Sequence, residues 1–144
     1  MLALLGLMVA GSGVACGVEA PQNECVDASA LDPSATDGMI EAGPFHDNAA
    51  YWAQPQGTKF WVGSRRDDHG HPPGATIRAE PLDGGHPAVT VHRPPREQVR
   101  NRDLLAFYPG AFRIPSTGPW RITVTIGPDH GCFITQVEPV GPAQ

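Results

Sequence analysis

The chain has 144 residues and a formal net charge of −5, with 17 glycines and 16 prolines. This length suits one domain and not two, and the many glycines and prolines disfavour long helices and favour short strands joined by turns. An acidic chain of this kind is excluded as a nucleic-acid binder, because affinity for nucleic acid depends on cations that neutralise phosphates.

The N-terminus predicts an exported protein. Residues 2–10 form an uncharged apolar run of the length found in signal peptides, and Gly13 and Ala15 stand three and one positions before Cys16. Residues 1–15 resemble the signal peptide of bacterial lipoproteins, which implies that Cys16 becomes the lipidated first residue, anchored at the cell membrane or envelope. The alternatives are an ordinary secretory peptide and an uncleaved anchor. The anchor is disfavoured because the run is about half of the roughly 20 residues that a membrane span needs.

Residues 16–38 are predicted to be an acidic tether. Between Gly17 and Thr58 the chain carries seven acidic residues and no basic one, and the tether itself is dotted with Pro and Ser. Residues 39–144 are then predicted to form the folded domain.

Seven short apolar segments in residues 39–144 are separated by turn residues. The predicted strands are 39–45, 58–63, 75–79, 88–92, 104–108, 119–126 and 132–137, with 111–114 as a continuation of the fifth. The clearest is 119–126, where apolar and polar residues alternate strictly from Trp120 to Ile126, as in a strand with one buried face. Residues 127–131 predict the turn of a hairpin, and 95–105 predict one short helix.

This pattern predicts an all-β sandwich or small barrel of about seven strands. The sequence G-x-W-x-I-x-V from Gly118 to Val124, followed by a hairpin, resembles the last strands of immunoglobulin-like domains in exported bacterial proteins. This resemblance implies an immunoglobulin-like β-sandwich and says nothing about activity.

No catalytic motif is present in the sequence. The chain contains no G-x-S-x-G, no H-E-x-x-H, no P-loop and no C-x-x-C. His69 and His71, beside two aspartates, are candidate metal ligands, with His86 as a possible third. Because Asp-His-Gly recurs at 129–131 in the predicted hairpin turn, a turn is the favoured interpretation of this segment.

Two further side-chain groups have ligand-binding chemistry. Four arginines lie within ten residues and suit a carboxylate or phosphate ligand, although a solvated charged loop partly neutralised by Glu97 and Asp103 is favoured. They are Arg93, Arg96, Arg100 and Arg102. Among the tryptophans, Trp120 is predicted in the core. For Trp52 and Trp61, edge or core packing is favoured, with exposed sugar-stacking platforms as the alternative.

The three cysteines predict one disulfide. An odd count in an exported protein leaves one thiol unexplained, but if the lipid uses Cys16, then Cys25 and Cys132 remain as a pair. We expect their Cα atoms to be about 4.4–6.8 Å apart. The alternatives are a free Cys132 with a disordered Cys25, and a Cys16–Cys25 bridge in a protein without a lipid.

These observations together predict a lipid-anchored, non-enzymatic binding or interaction module at the cell envelope. Its expected partners are the membrane, through the anchor, and an unidentified envelope component, and no cofactor is expected. The alternative is an exported copper- or zinc-handling protein that uses His69 and His71. An enzyme is the third possibility.

Overall fold

The computed structural model describes residues 24–68, 71–95 and 103–141, and within these residues the chain forms nine β-strands and no helix. No helix in this part of the chain is therefore long and apolar enough to cross a membrane. The strands are β1 Val26–Asp27, β2 Ala35–Asp37, β3 Ile40–Gly43, β4 Thr58–Ser64, β5 Ala75–Pro81, β6 Val89–Arg93, β7 Ala106–Phe112, β8 Gly118–Ile126 and β9 Asp129–Val137.

The strands form two sheets that share one hydrophobic core, as in a β-sandwich. The five-stranded sheet has the order β1-β9-β8-β5-β6 and the four-stranded sheet has the order β2-β3-β4-β7. The pair β1–β9 is parallel, and the other pairs are antiparallel. The prediction of an all-β domain is confirmed.

The core lies between the sheets, where the alternation of β8 places it. Trp120, Ile122 and Val124 are fully buried, while Arg121 and Thr123 lie on the outer face. An aromatic cluster fills one part of the core, with ring centroids 5.1–6.1 Å apart. Its members are Phe45, Trp52, Phe60, Phe112 and Phe133.

The β8–β9 hairpin has a shorter turn than the sequence predicts. Ile126 pairs with Asp129, so the turn contains only Gly127 and Pro128. Gly127 has a φ of 56°, and a positive φ at the first central position matches the twist of the flanking strands. The predicted turn at 127–131 is therefore too long, and residues 129–131 belong to β9, because Gly127 already supplies the required left-handed residue.

The strand structure begins before Met39, the predicted start of the domain. Val26 pairs with Phe133 through β1, and Ala28 and Ala35 are buried at 0% and 3% exposure. The described part of the predicted tether therefore packs on the sheets, because a few small apolar residues among its acids meet partners that are distant in sequence. The predicted helix at 95–105 lies mainly on residues outside the described ranges.

Candidate functional site

The predicted disulfide joins the start of the described chain to the sandwich. Cys25 and Cys132 are disulfide-bonded, with their Cα atoms 4.7 Å apart and a sequence separation of 107. The bond lies beside β1, where the Ala28 N–H donates to the Ile134 carbonyl at 2.8 Å. This confirms the Cys25–Cys132 pairing, while Cys16 lies outside the described residues.

Arg93 is a buried bridge between the two sheets, whereas the sequence placed it in a solvated charged loop with anion binding as the alternative. Its side chain leaves β6 in the five-stranded sheet, and Nη1 donates to the Phe60 and Tyr108 carbonyls of the other sheet at 2.8 and 2.6 Å. The guanidinium lies over Gly110, where a Cβ would be 3.1 Å from Arg93 Nε. The alternation of Val89, Val91 and Arg93 is the sequence signal that places Arg93 on the inner face.

The described histidines do not form one metal site. Pro73, two residues after His71, lies 3.0 Å from the Cβ position of Gly127 at one end of β8. His86 lies at the other end of β8, with its ring 5.9 Å from that of Trp120. Trp120 and Gly127 are seven residues apart, which corresponds to about 23 Å along a strand. His71 and His86 are therefore too far apart to share an ion.

The other candidate ligands of the sequence prediction lie outside the described residues. They are His69, Arg96, Arg100 and Arg102. Within residues 24–68, 71–95 and 103–141, no three His, Cys, Asp or Glu side chains are grouped as metal ligands would be.

A bidentate ion pair connects the end of β4 to the start of β9. Arg66 donates from Nε and Nη2 to the two carboxylate oxygens of Asp129 at 2.7 and 2.8 Å. The hydrogen bond from Arg66 lowers the pKa of the Asp129 carboxyl, so Asp129 stays ionised beside its partner. The second Asp-His-Gly sequence thus begins with an aspartate that joins the two sheets.

An open groove of about 570 Å³ lies beside the disulfide on the outer face of the five-stranded sheet. Two of its charged side chains are paired: Arg121 lies 3.3 Å from a carboxylate oxygen of Glu80, and Glu80 also lies 3.5 Å from Arg78. The lining residues are Glu24, Cys25, Glu80, Leu82, Arg121, Thr123, Cys132 and Ile134.

A second groove, of about 500 Å³, lies on the outer face of the four-stranded sheet, and we call it the Trp61 groove. Register pairs Lys59 with Ala111 and Trp61 with Pro109, which places these four side chains on one face. The groove is lined by Lys59, Phe60, Trp61, Pro109, Gly110 and Ala111.

The indole of Trp61 is supported on the side away from Lys59. The Phe107 ring lies 5.6 Å from it at an angle of 43°. Phe107 pairs with Gly63, and a Cβ at Gly63 would lie 2.8 Å from Leu104 Cδ1. The missing side chain of Gly63 therefore makes room for Leu104 beside this aromatic pair.

The three tryptophans have different positions. Trp52 and Trp120 are fully buried, so Trp52 is a packing residue, as favoured from the sequence, and not an exposed platform. Trp61 is half-buried and borders a groove.

The chain matches no family model, no curated protein sequence and no solved structure. Of the two grooves, the Trp61 groove combines an aromatic wall with a cation.

Proposed function

We propose that the chain is an exported protein whose residues 1–15 are a cleaved signal peptide, and that lipidated Cys16 anchors a non-enzymatic binding domain at the cell envelope. The Cys25–Cys132 disulfide carries this proposal, because such bonds form and persist outside the reducing cytosol. The bond also uses two of the three cysteines and leaves Cys16, the residue that directly follows the small-residue end of the leader.

We propose an immunoglobulin-like topology for the domain, and the strand neighbours support it. β4 lies beside β7, and β5 lies beside β8, which pairs with β9. The immunoglobulin sandwich likewise has its second strand beside the fifth and its third beside the sixth, which pairs with the seventh. The disulfide differs, because Cys25 and Cys132 join the chain start to β9 instead of crossing between the sheets.

The arrangement of polar groups favours binding over catalysis. Asp129 pairs with Arg66 between the sheets and Glu80 pairs with Arg121 between neighbouring strands, and Arg93 is bonded to backbone carbonyls. These groups stabilise the sandwich. In contrast, the Trp61 groove presents an aromatic wall and the ammonium of Lys59 to solvent.

The tether would keep the domain close to the bilayer. Eight residues precede Glu24 from Cys16 onward, and even fully extended they span only about 28 Å. Because Cys25 is bonded to β9, only the part of the predicted tether before Cys25 can extend, and it cannot lengthen by releasing β1 while the disulfide is intact.

Fractionation of cells that produce the full chain tests the proposal. Wild-type protein is expected in the membrane fraction and labelled by a fatty-acid analogue, whereas Cys16→Ser is expected to be unlabelled and not held by a lipid. A Cys25→Ser/Cys132→Ser double variant is the matched control, and it should retain both label and membrane association. An unlabelled wild type that fractionates like Cys16→Ser would contradict the lipid anchor.

A further inference from the structure

The Trp61 groove has a preformed aromatic wall. Phe107 supports one side of the Trp61 indole, and the row formed by Lys59 and Ala111 lies on the other side. Aromatic faces carry partial negative charge and pack well against surfaces made of C–H groups. Because neighbouring rings already hold the indole, a ligand would lose little free energy in ordering it.

One of the residues that line this groove is a cation. Lys59 is the only lysine of the chain and is exposed, and it makes no ion pair with a described residue. Ala111, its cross-strand partner, leaves the space above it open. Arg113 follows two residues later and is also exposed, with its Nε donating to the Gln54 carbonyl at 3.1 Å. In a chain of net charge −5, Lys59 lines the groove and Arg113 follows two residues after its lining residue Ala111, so both add positive charge on this side of the sheet.

The size of the groove fits a small ligand and not a second copy of the chain. Its volume of about 500 Å³ lies within the range of roughly 300–1,000 Å³ that is usual for small-molecule sites. A stable protein–protein interface needs about 20–30 residues from each partner, whereas six residues line this groove.

The position of the groove directs it away from the anchor. Cys25 is bonded at the β1 edge of the five-stranded sheet, while β7 is the opposite edge strand of the other sheet, on the side where Arg93 links β6 to β7. The groove therefore opens on the face and toward the edge most distant from the tether. This geometry favours a ligand in the envelope over the bilayer to which the tether is attached.

We propose that the Trp61 groove binds a carboxylate-bearing glycan. One sugar ring stacks its C–H face on Trp61, and its carboxylate pairs with Lys59, with Arg113 adding to the local positive charge. The envelope location of this glycan rests on the proposed function, but the binding chemistry depends only on the groove.

Tryptophan fluorescence of the purified protein gives a specific readout. Trp52 and Trp120 are fully buried, so acrylamide quenching reports chiefly on Trp61. The probe is trigalacturonate, with maltotriose as a neutral trisaccharide and citrate as a carboxylate without a sugar face. We expect trigalacturonate to protect Trp61 from quenching at or below about 10 mM, maltotriose to bind roughly tenfold more weakly, and citrate to give no protection.

Variants separate the two contributions, and calorimetry follows binding where Trp61 is absent. Trp61→Ala should weaken trigalacturonate binding by roughly tenfold, and Lys59→Ala should remove the preference over maltotriose. Ala111→Glu is a second test of the groove in case Trp61→Ala does not fold. Because Ala111 is exposed, this variant should fold, and it should abolish binding of trigalacturonate. Thr125→Ala, on the other sheet, is the matched control with wild-type affinity.

Two outcomes would overturn the proposal. One is the absence of trigalacturonate binding to folded wild-type protein. The other is binding that persists unchanged in Ala111→Glu or that does not distinguish trigalacturonate from maltotriose. Neither result affects the fatty-acid labelling of Cys16, so failure of this proposal is distinguishable from failure of the proposed function.

Discussion

Replacing Arg93 with methionine tests whether its guanidinium joins the two sheets. Methionine keeps a long apolar stem in the same space and removes the two short hydrogen bonds to the Phe60 and Tyr108 carbonyls. A hydrogen bond from a charged donor contributes about 1.5–3 kcal/mol. The bond to the Ala111 carbonyl is 3.4 Å long and adds little.

We expect Arg93→Met to lower the free energy of unfolding by about 3 kcal/mol, which is the lower end of the range for two such hydrogen bonds. The lower end is expected because the guanidinium regains hydration in the unfolded chain, which offsets part of its contribution. In urea, with a slope of about 2 kcal/mol per molar for a domain of this size, the midpoint should fall by about 1.5 M.

Arg78→Met is the matched control, because Arg78 lies in the same sheet with a side chain that is 50% exposed. Its loss should change the free energy of unfolding by less than about 0.5 kcal/mol. If Arg93→Met were no more destabilising than Arg78→Met, the interpretation of Arg93 as a bridge between sheets would be wrong.

The other predictions concern the disulfide, the register of β8 and the acid sensitivity. Reduction of Cys25–Cys132, which closes a loop of 107 residues, should cost up to about 4.7 kcal/mol of unfolding free energy; an unchanged denaturation midpoint would contradict this. Ile122→Ala should cost about 2–5 kcal/mol in urea denaturation, whereas Thr123→Ala on the outer face should cost less than about 0.5 kcal/mol; similar losses would refute the assigned faces. Because the folded-state pKa of Asp129 is lowered, its ion pair stabilises the fold above the unfolded pKa, and this contribution is lost as pH falls through the folded pKa. The stability difference between wild type and Asp129→Asn should therefore shrink below about pH 4, and a difference that is constant with pH would contradict it.

Local sequence pattern predicted those parts of the fold in which neighbours along the chain determine burial. The strict alternation of β8 assigned Trp120 and Ile122 to the core correctly, since one strand can bury only alternate residues. Cysteine arithmetic predicted the Cys25–Cys132 pair correctly, because the expectation of a lipid on Cys16 left no other pairing.

The features that were missed depend on partners that are distant in sequence. β1 and β2 lie in an acidic segment, and only contact with β9 and β3 makes them strands. Arg93 looked like part of a basic cluster, because the carbonyls that it binds lie 15 and 33 residues away. The Trp61 groove needs the register of β4 on β7, which no local pattern gives.

Intact mass spectrometry of the protein purified from its native membrane, without reduction, tests the central claim most directly. The account predicts a chain that begins at Cys16, carries lipid on that residue, and lacks the two thiol hydrogens of Cys25 and Cys132. A chain that retains residues 1–15, or one with Cys25 and Cys132 as free thiols, would contradict the account of an exported and lipid-anchored domain.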